Sequence, residues 1–286
     1  MTLPVLNRVY VADALTQLRQ WPNAFVDAVV TSPPYYQQHV YGRESQQLGW
    51  EWTPDAHVAA LAPVLAELKR VLKPDGTIWL NLADTYRKKS LLGIPARVEE
   101  ELRQGGWRIR NRIIWTKPNP KPHGRLDRFN ESHEYVLLAS KAARYFFDRE
   151  AARSIAQSQA DVWSITPVNR HRLELPPALV VRVTPYPDEL CRRAIICATR
   201  PGGLVLDPFM GSGTTALAAD RLGRTFLGIE LAGEFAELSM RRVAWDRARR
   251  ASATDQVLPE RSRRVTPEPD ANRPPSGATS SLEDAA

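Results

Sequence analysis

Cysteine is nearly absent from this chain: Cys191 and Cys197 are the only two among 286 residues. Two thiols cannot build a disulfide framework, and their spacing matches no zinc motif. Both read as reduced core residues of a cytoplasmic protein, and no metal site is expected. No apolar run approaches the length of a membrane span, and the N-terminus lacks a signal-peptide pattern, so no membrane partner is expected. The last stretch, 251–286, has no aromatic residue and is rich in proline, serine, alanine and charge. It is read as a disordered tail. No internal repeat is visible.

What remains is enough for one large α/β domain, residues 1–250, with inserted segments. Hydrophobic residues make up 43% of the chain, which allows a sizeable core, and the formal net charge is +7. That excess alone makes an anionic partner plausible. Its distribution is more telling. Between Tyr86 and Asn130 stand twelve Lys and Arg against four Asp and Glu; from Ala251 onward the count is four against six.

Apolar runs at Arg8–Val11, Phe25–Val30, Thr77–Leu82, Arg108–Trp115, Glu134–Ala139, Leu204–Leu206 and Thr225–Ile229 read as strands. Between them lie helical stretches, the clearest from Pro54 to Leu72, with Val58, Leu61, Leu65, Leu68 and Leu72 on one face. Others run from Asp13 to about Gln20, Ile94 to Gln104, Glu189 to Thr199, from Thr214, and from the last strand to about Arg250. From Ala152 to about Thr184 the pattern is irregular. Strands alternating with helices predict a doubly wound, mostly parallel sheet, which binds ligands beyond the carboxyl ends of its strands. The two most unusual loops fall at such ends.

One is Asp207-Pro208-Phe209-Met210-Gly211-Ser212-Gly213-Thr214-Thr215, between a strand and a helix. Its glycines allow close backbone approach by a ligand and positive φ. No Lys follows the second glycine, as a phosphate loop requires, and the third glycine of a dinucleotide fingerprint is missing. Glu230 ends the next strand and can accept both hydroxyls of a ribose. A ligand with a ribose but no phosphate fits this pair, and S-adenosyl-L-methionine is such a ligand. The plain alternative is a tight turn that binds nothing.

The other loop is Thr31-Ser32-Pro33-Pro34-Tyr35. Two prolines cannot continue a central strand, so the chain leaves the sheet there. Ser32 and the Pro33 carbonyl offer two acceptors for an amino group, and Tyr35 offers a stacking face. Alone, the motif would be a rigid proline turn.

Together, the Ser-Pro-Pro-Tyr loop and the Phe-x-Gly-x-Gly loop resemble the amino-methylating DNA methyltransferases. Their order, with Ser-Pro-Pro-Tyr first, is similar to the permuted β class. The resemblance covers roughly residues 7 to 245, and includes Thr116-Lys117-Pro118-Asn119-Pro120, His133-Glu134-Tyr135, Asp161-Val162-Trp163 and Pro187-Asp188-Glu189-Leu190. It implies a circularly permuted, Rossmann-like, seven-stranded methyltransferase sheet. On that permutation the Leu204 strand is first and Thr225 second, Arg8–Val11 supplies the third, and Phe25–Val30 the fourth. Asp207, Glu230, Asp13 and Ser32 then share one sheet edge.

By resemblance, Ser32, Pro33, Pro34 and Tyr35 form the catalytic loop. Asp13, Asp207, Phe209, Gly211, Ser212, Gly213, Thr214 and Glu230 form the cofactor site, with Asp13 near the adenine and Asp207 near the methionine part, directly or through water. Asp13 reads equally as a helix N-cap. Relatives often carry a His a few residues before a Phe-Pro pair; here the stretch is Arg182-Val183-Thr184-Pro185-Tyr186-Pro187. Ser at the first motif position is associated with cytosine-N4, with adenine-N6 as the alternative. Carbon-5 methylation would need a cysteine nucleophile, and both cysteines lie in a predicted helix without a Pro-Cys loop. A catalytically silent nucleic-acid-binding module on the same fold is a further alternative.

The expected partner is double-stranded DNA. Arg87, Lys88, Lys89, Lys117, Lys121, Arg125, Arg128, Arg170 and Arg172 are the candidate contacts, since Lys and Arg in loops neutralise phosphates. Target recognition is expected within 86–130 and 152–183. The resemblance implies a prokaryotic or phage-encoded protein and leaves room for a cognate restriction endonuclease and a homodimer.

Overall fold

The computed structural model describes residues 2–37, 47–120, 127–156, 160–168 and 186–257. Two compact units divide the chain, Met1–Arg247 and Ala248–Ala286. The described part of the second, residues 248–257, is helical, and the predicted tail otherwise lies outside the described residues.

The first unit is built on β1 (Arg8–Val11), β2 (Val26–Thr31), β3 (Leu72–Leu82), β6 (Arg108–Thr116), β7 (His133–Ser140), β8 (Val162–Ser164), β9 (Leu204–Asp207) and β10 (Thr225–Glu230). They form one sheet in the order β1-β10-β9-β2-β3-β7-β6-β8. Every neighbouring pair is parallel except those made by β7, which runs against β3 and β6. The doubly wound, permuted sheet expected from the sequence is present: β1 lies beside β10, with Val11 opposite Glu230, and β2 lies beside β9.

Three details differ from the sequence reading. The sheet has eight strands rather than seven, because Val162–Ser164 pairs with the end of β6; three residues are too few to show a period. β3 starts at Leu72, not Thr77, since Val26 opposite Leu72 extends the pairing across a register shift. A two-stranded hairpin, β4 (Tyr86–Arg87) and β5 (Ser90–Leu91), rises from the segment after β3.

Central strands are apolar on both faces because both are covered. In β2, Val29 joins one core while Ala28 and Val30 join the other. The first core receives α1 (Ala14–Gln20), α2 (Pro54–Val71) and α3 (Ile94–Gln104) through Leu18, Leu61, Leu68 and Leu102. The second receives α5 (Asp188–Ala198), α6 (Thr214–Arg221) and the start of α7 (Gly233–Val257) through Leu190, Ile195, Ala218 and Ala236. Ala152 of α4 (Arg149–Ala156) packs against it. Thr53 starts α2 by accepting the Ala56 N–H, with Pro54 in its first turn. Among the described residues, no helix is long and apolar enough to cross a membrane.

Trp79 is the largest fully buried side chain. Its ring stacks on Trp163 at 6.3 Å and on Phe147 at 6.5 Å, and its indole N–H donates to Thr77. It thereby ties the short edge strand region to the centre. Trp79→Ala is expected to destabilise the protein by about 3–5 kcal/mol, read as a lowered urea midpoint.

Candidate active site

The edge at which β2, β9, β10 and β1 end carries both unusual loops. β2 and β9 are neighbours, with Val29 opposite Leu206, so their loops leave the sheet side by side. A direct bond joins them: Thr31 Oγ1 donates to Asp207 Oδ1 at 2.5 Å. Asp207 also accepts from Thr215 Oγ1 at 2.6 Å and the Phe209 N–H at 3.0 Å, and the Tyr186 hydroxyl lies 3.2 Å away. The carboxylate is 1% exposed. Burial raises its pKa, and the surrounding donors from Thr215, Thr31, Phe209 and Tyr186 act against that rise. Through these bonds Asp207 ties the loop after β2 to the loop after β9.

Glu230 is placed differently. Its Oε2 accepts the Gly211 N–H at 2.8 Å and its Oε1 the Ala232 N–H at 2.9 Å. A carboxylate has about four acceptor positions, so each oxygen retains capacity for a hydroxyl. Burial raises the Glu230 carboxyl above its ordinary range, against the lowering by the Ala232 and Gly211 N–H groups.

The two glycines of the loop do different work. Gly211 has φ +51°, and an added Cβ would meet only the Phe209 carbonyl at 3.9 Å, so this side is open for a ligand. Gly213 has φ +83°, and a Cβ there would fall 2.4 Å from the Ser239 Cβ, so its role is close packing against α7. Behind the loop, buried Arg242 donates to the Ser212 carbonyl at 2.5 Å and to Ser212 Oγ at 3.1 Å. Ser212 and Thr214 are buried, while Phe209 is half-buried against the first core. Asp13 caps α1 by accepting the Thr16 N–H and hydroxyl, both on Oδ1 at 2.8 Å. It also stands beside Glu230, whose carbonyl accepts the Ala12 N–H at 3.0 Å.

On the Ser-Pro-Pro-Tyr loop, Ser32 Oγ donates to the Asn81 carbonyl at 3.2 Å. With its proton directed away, the oxygen presents lone pairs to anything entering the cleft. Tyr35 is held by Glu134 and Asn81, to which the sequence assigns no part in the site. Its hydroxyl donates to Glu134 Oε2 at 2.8 Å and accepts from Asn81 Nδ2 at 2.8 Å. Asn81 Nδ2 also donates to Glu134 Oε2 at 2.9 Å, and Lys117 Nζ to Oε1 at 2.6 Å. The carboxylate sets the orientation of the amide, whose buried Oδ1 has no partner among the described residues. In the sequence, the Thr116-Lys117-Pro118-Asn119-Pro120 and His133-Glu134-Tyr135 stretches carry Lys117 and Glu134, while Asn81 carries no signal. Beyond Tyr35, Gln37 binds the Gly49 and Glu51 carbonyls, and Glu51 pairs with buried His57 at 2.9 Å. Both ends of the loop are thus fixed. Pro33 is buried and Pro34 partly so.

The predicted DNA contacts divide. Lys117 is engaged with Glu134 beside Tyr35. Lys88 and Lys89 form the exposed tip of the β4–β5 hairpin, both with positive φ. Arg87 hydrogen-bonds Gln37, and the Arg128 guanidinium lies 3.4 Å from the centroid of the Tyr86 ring. Lys121, Arg125, Arg170 and Arg172 lie outside the described residues, as does most of the expected 152–183 recognition segment. Cys191 and Cys197 are buried. Burial pushes the Cys191 thiol well above its ordinary pKa and that of Cys197 to about 12, so neither supplies a thiolate.

Similarity to known proteins follows the same lines. The profile of a family described as DNA methylase matches residues 26–241. The Type II methyltransferase M.XycI of Xanthomonas campestris pv. cyanopsidis is 36% identical over 271 residues, spanning 83% of this chain and 87% of that protein. A Thermus thermophilus protein, a putative DNA modification methylase crystallised with S-adenosyl-L-methionine, superposes with a TM-score of 0.63 at 29% identity, covering 84% of this chain and 95% of that one. The PvuII DNA methyltransferase, cytosine-N4-specific, shares the fold at TM-score 0.67 and 22% identity, over 82% of this chain and 85% of its own.

The network around Tyr35 generates a test. Tyr35→Phe keeps the ring but removes a hydrogen bond to a charged group, worth about 1.5–3 kcal/mol. Turnover is expected to fall about ten- to a hundredfold with unchanged cofactor affinity, measured by single-turnover methyl transfer and calorimetry. A parallel fall in cofactor affinity would place the network elsewhere in the cycle.

Proposed function

Because the chain belongs to the N6/N4 DNA methylase family, we propose that it methylates the exocyclic amino group of cytosine at a specific site in duplex DNA. It would then be the methyltransferase of a Type II system. The observation that carries this reading is the Ser32 hydroxyl, whose proton goes to the Asn81 carbonyl beside a loop bonded to the glycine loop through Thr31 and Asp207. The alternative of adenine-N6 uses the same fold and loop. Ser32, with no acidic residue in the motif, supports cytosine.

The cofactor is S-adenosyl-L-methionine, and the residues fit it. Glu230 keeps acceptor capacity on both oxygens for a ribose. Gly211 leaves open space on its Cβ side. When bound, the cofactor supplies an already electrophilic methyl group. The protein therefore needs mainly to align a nucleophile, and positioning of this kind contributes several kcal/mol, on the order of 7–11 at best.

An exocyclic amine is a weak nucleophile because its lone pair is conjugated with the ring. Ser32 Oγ and the Pro33 carbonyl, which accepts no hydrogen bond among the described residues, draw its two N–H groups and bias the nitrogen towards a tetrahedral geometry. Tyr35, its ring orientation set by Glu134 and Asn81, provides a stacking surface worth roughly 1–3 kcal/mol. The target is buried by pairing in a duplex, so it must be flipped out, at a cost of about a few kcal/mol.

The decisive experiment expresses the protein in a host lacking DNA methylation and maps modified bases in its genome. N4-methylcytosine at one short sequence is expected; N6-methyladenine would select the alternative, and no incorporation into any DNA would favour a silent binding module. Ser32→Ala is expected to lower turnover by about a hundredfold or more while cofactor affinity holds. Glu230→Ala is expected to weaken cofactor binding by about ten- to a hundredfold, read by calorimetry; unchanged affinity would remove its ribose role.

A further inference from the structure

A base that leaves the stack leaves a hole, and proteins that deform DNA often fill such gaps with an apolar side chain. Two large aromatics of this chain stand almost wholly in water: Phe129 is 99% exposed and Trp52 97%. Isolated exposure of this kind is common on surfaces, so position must decide its meaning. Phe129 lies in the connection from Thr116 at the end of β6 to His133 at the start of β7. β6 runs parallel to β3 and β2, so this connection rises from the edge that carries Ser32 and Tyr35.

The segment has firm footings. The Lys117 N–H donates to the Ser132 carbonyl at 2.7 Å, closing the loop at its base. Five residues beyond Phe129, Glu134 receives the Tyr35 hydroxyl. On its other side, Arg128 covers the Tyr86 ring, which docks the hairpin bearing exposed Lys88 and Lys89. Arg87 of that hairpin bonds Gln37, two residues after Tyr35. Exposed Phe129 is thus flanked along the chain by Arg128, docked on a cationic hairpin suited to phosphates, and by Glu134, bonded to Tyr35. Trp52 is equally exposed but sits between Glu51 and Thr53, and the nearby cation Arg97 is paired with Asp55. Arg128 beside Phe129 is likewise paired with Asp127, so what favours Phe129 is the hairpin that Arg128 docks, whose exposed tip carries Lys88 and Lys89.

We propose that Phe129 is the wedge that enters the duplex beside the target and occupies the space vacated by the flipped base. The proposal rests on the reading of the chain as a methylase of duplex DNA. The ring replaces stacking lost by the neighbouring base pairs, so its contribution falls when flipping is already easy.

That dependence is the test. Methyl transfer is measured on a duplex carrying the sequence mapped in the genome experiment, and on the same duplex with an abasic site opposite the target. Phe129→Ala is expected to lower kcat by about ten- to a hundredfold on the paired duplex, with S-adenosyl-L-methionine affinity unchanged. On the abasic duplex its rate is expected to return to within a few fold of the wild type. Phe129→Leu, still apolar, is expected to keep most of the activity, and Trp52→Ala all of it. Wild-type rates for Phe129→Ala, or a deficit of equal size on both duplexes, would overturn the proposal. So would a deficit rescued by the abasic site in Trp52→Ala. A wild-type protein that methylates neither duplex would overturn the methylase reading, and the wedge with it.

Discussion

One short hydrogen bond holds the two halves of the chemistry together. Thr31 and Asp207 are 176 residues apart in sequence and 2.5 Å apart across the sheet edge. Thr31 is the last residue of β2 before the catalytic serine, and Asp207 the last of β9 before the glycine loop. Adjacent parallel strands bring the loops into the same neighbourhood, and the bond fixes their relative height. Asp207 is surrounded by donors because a buried carboxylate without them would neutralise or unfold its surroundings. From this position Asp207 keeps the two loops in register.

The same division between contact and support runs through the site. Gly211 leaves room, while Gly213 allows α7 to approach. Ser32 presents an acceptor because Asn81 takes its proton, and Tyr35 holds its ring because Glu134, Asn81 and Lys117 form a network around its hydroxyl. Groups that must align a weak nucleophile to a fraction of an ångström need such backing. The network also reaches outward, since Lys117 and Glu134 bracket the β6–β7 connection. The β6–β7 connection and the loop that carries Tyr35 are therefore joined through Glu134, which pairs with Lys117 and accepts the Tyr35 hydroxyl.

The charge distribution acquires its meaning from this geometry. The basic mid-chain segment becomes a hairpin after β3 and a connection after β6, both at the edge where the strands end. Some of its cations are paired with carboxylates: Arg112 is bound to Glu99, and Lys117 to Glu134. Others, such as Lys88 and Lys89, stand free of the core at a turn tip. A cation count along the chain cannot separate these groups, because pairing depends on which strand lies opposite.

Order of strands and helices, the two loops and their residue types were legible from the sequence, because each depends on local pattern: apolar runs, prolines that break a strand, glycines at a turn and an acid after the next strand. The permuted strand order was legible through the family resemblance, and the sheet places β1 beside β10 and β2 beside β9 as it implies. What the sequence could not show was which side chains would end up facing one another. Asp207 meets the hydroxyl of Thr31 at the end of the neighbouring strand, and Glu134 meets the hydroxyl of Tyr35. Both outcomes follow from strands distant in sequence lying side by side in the sheet, and only the folded chain decides which hydroxyl meets which carboxylate.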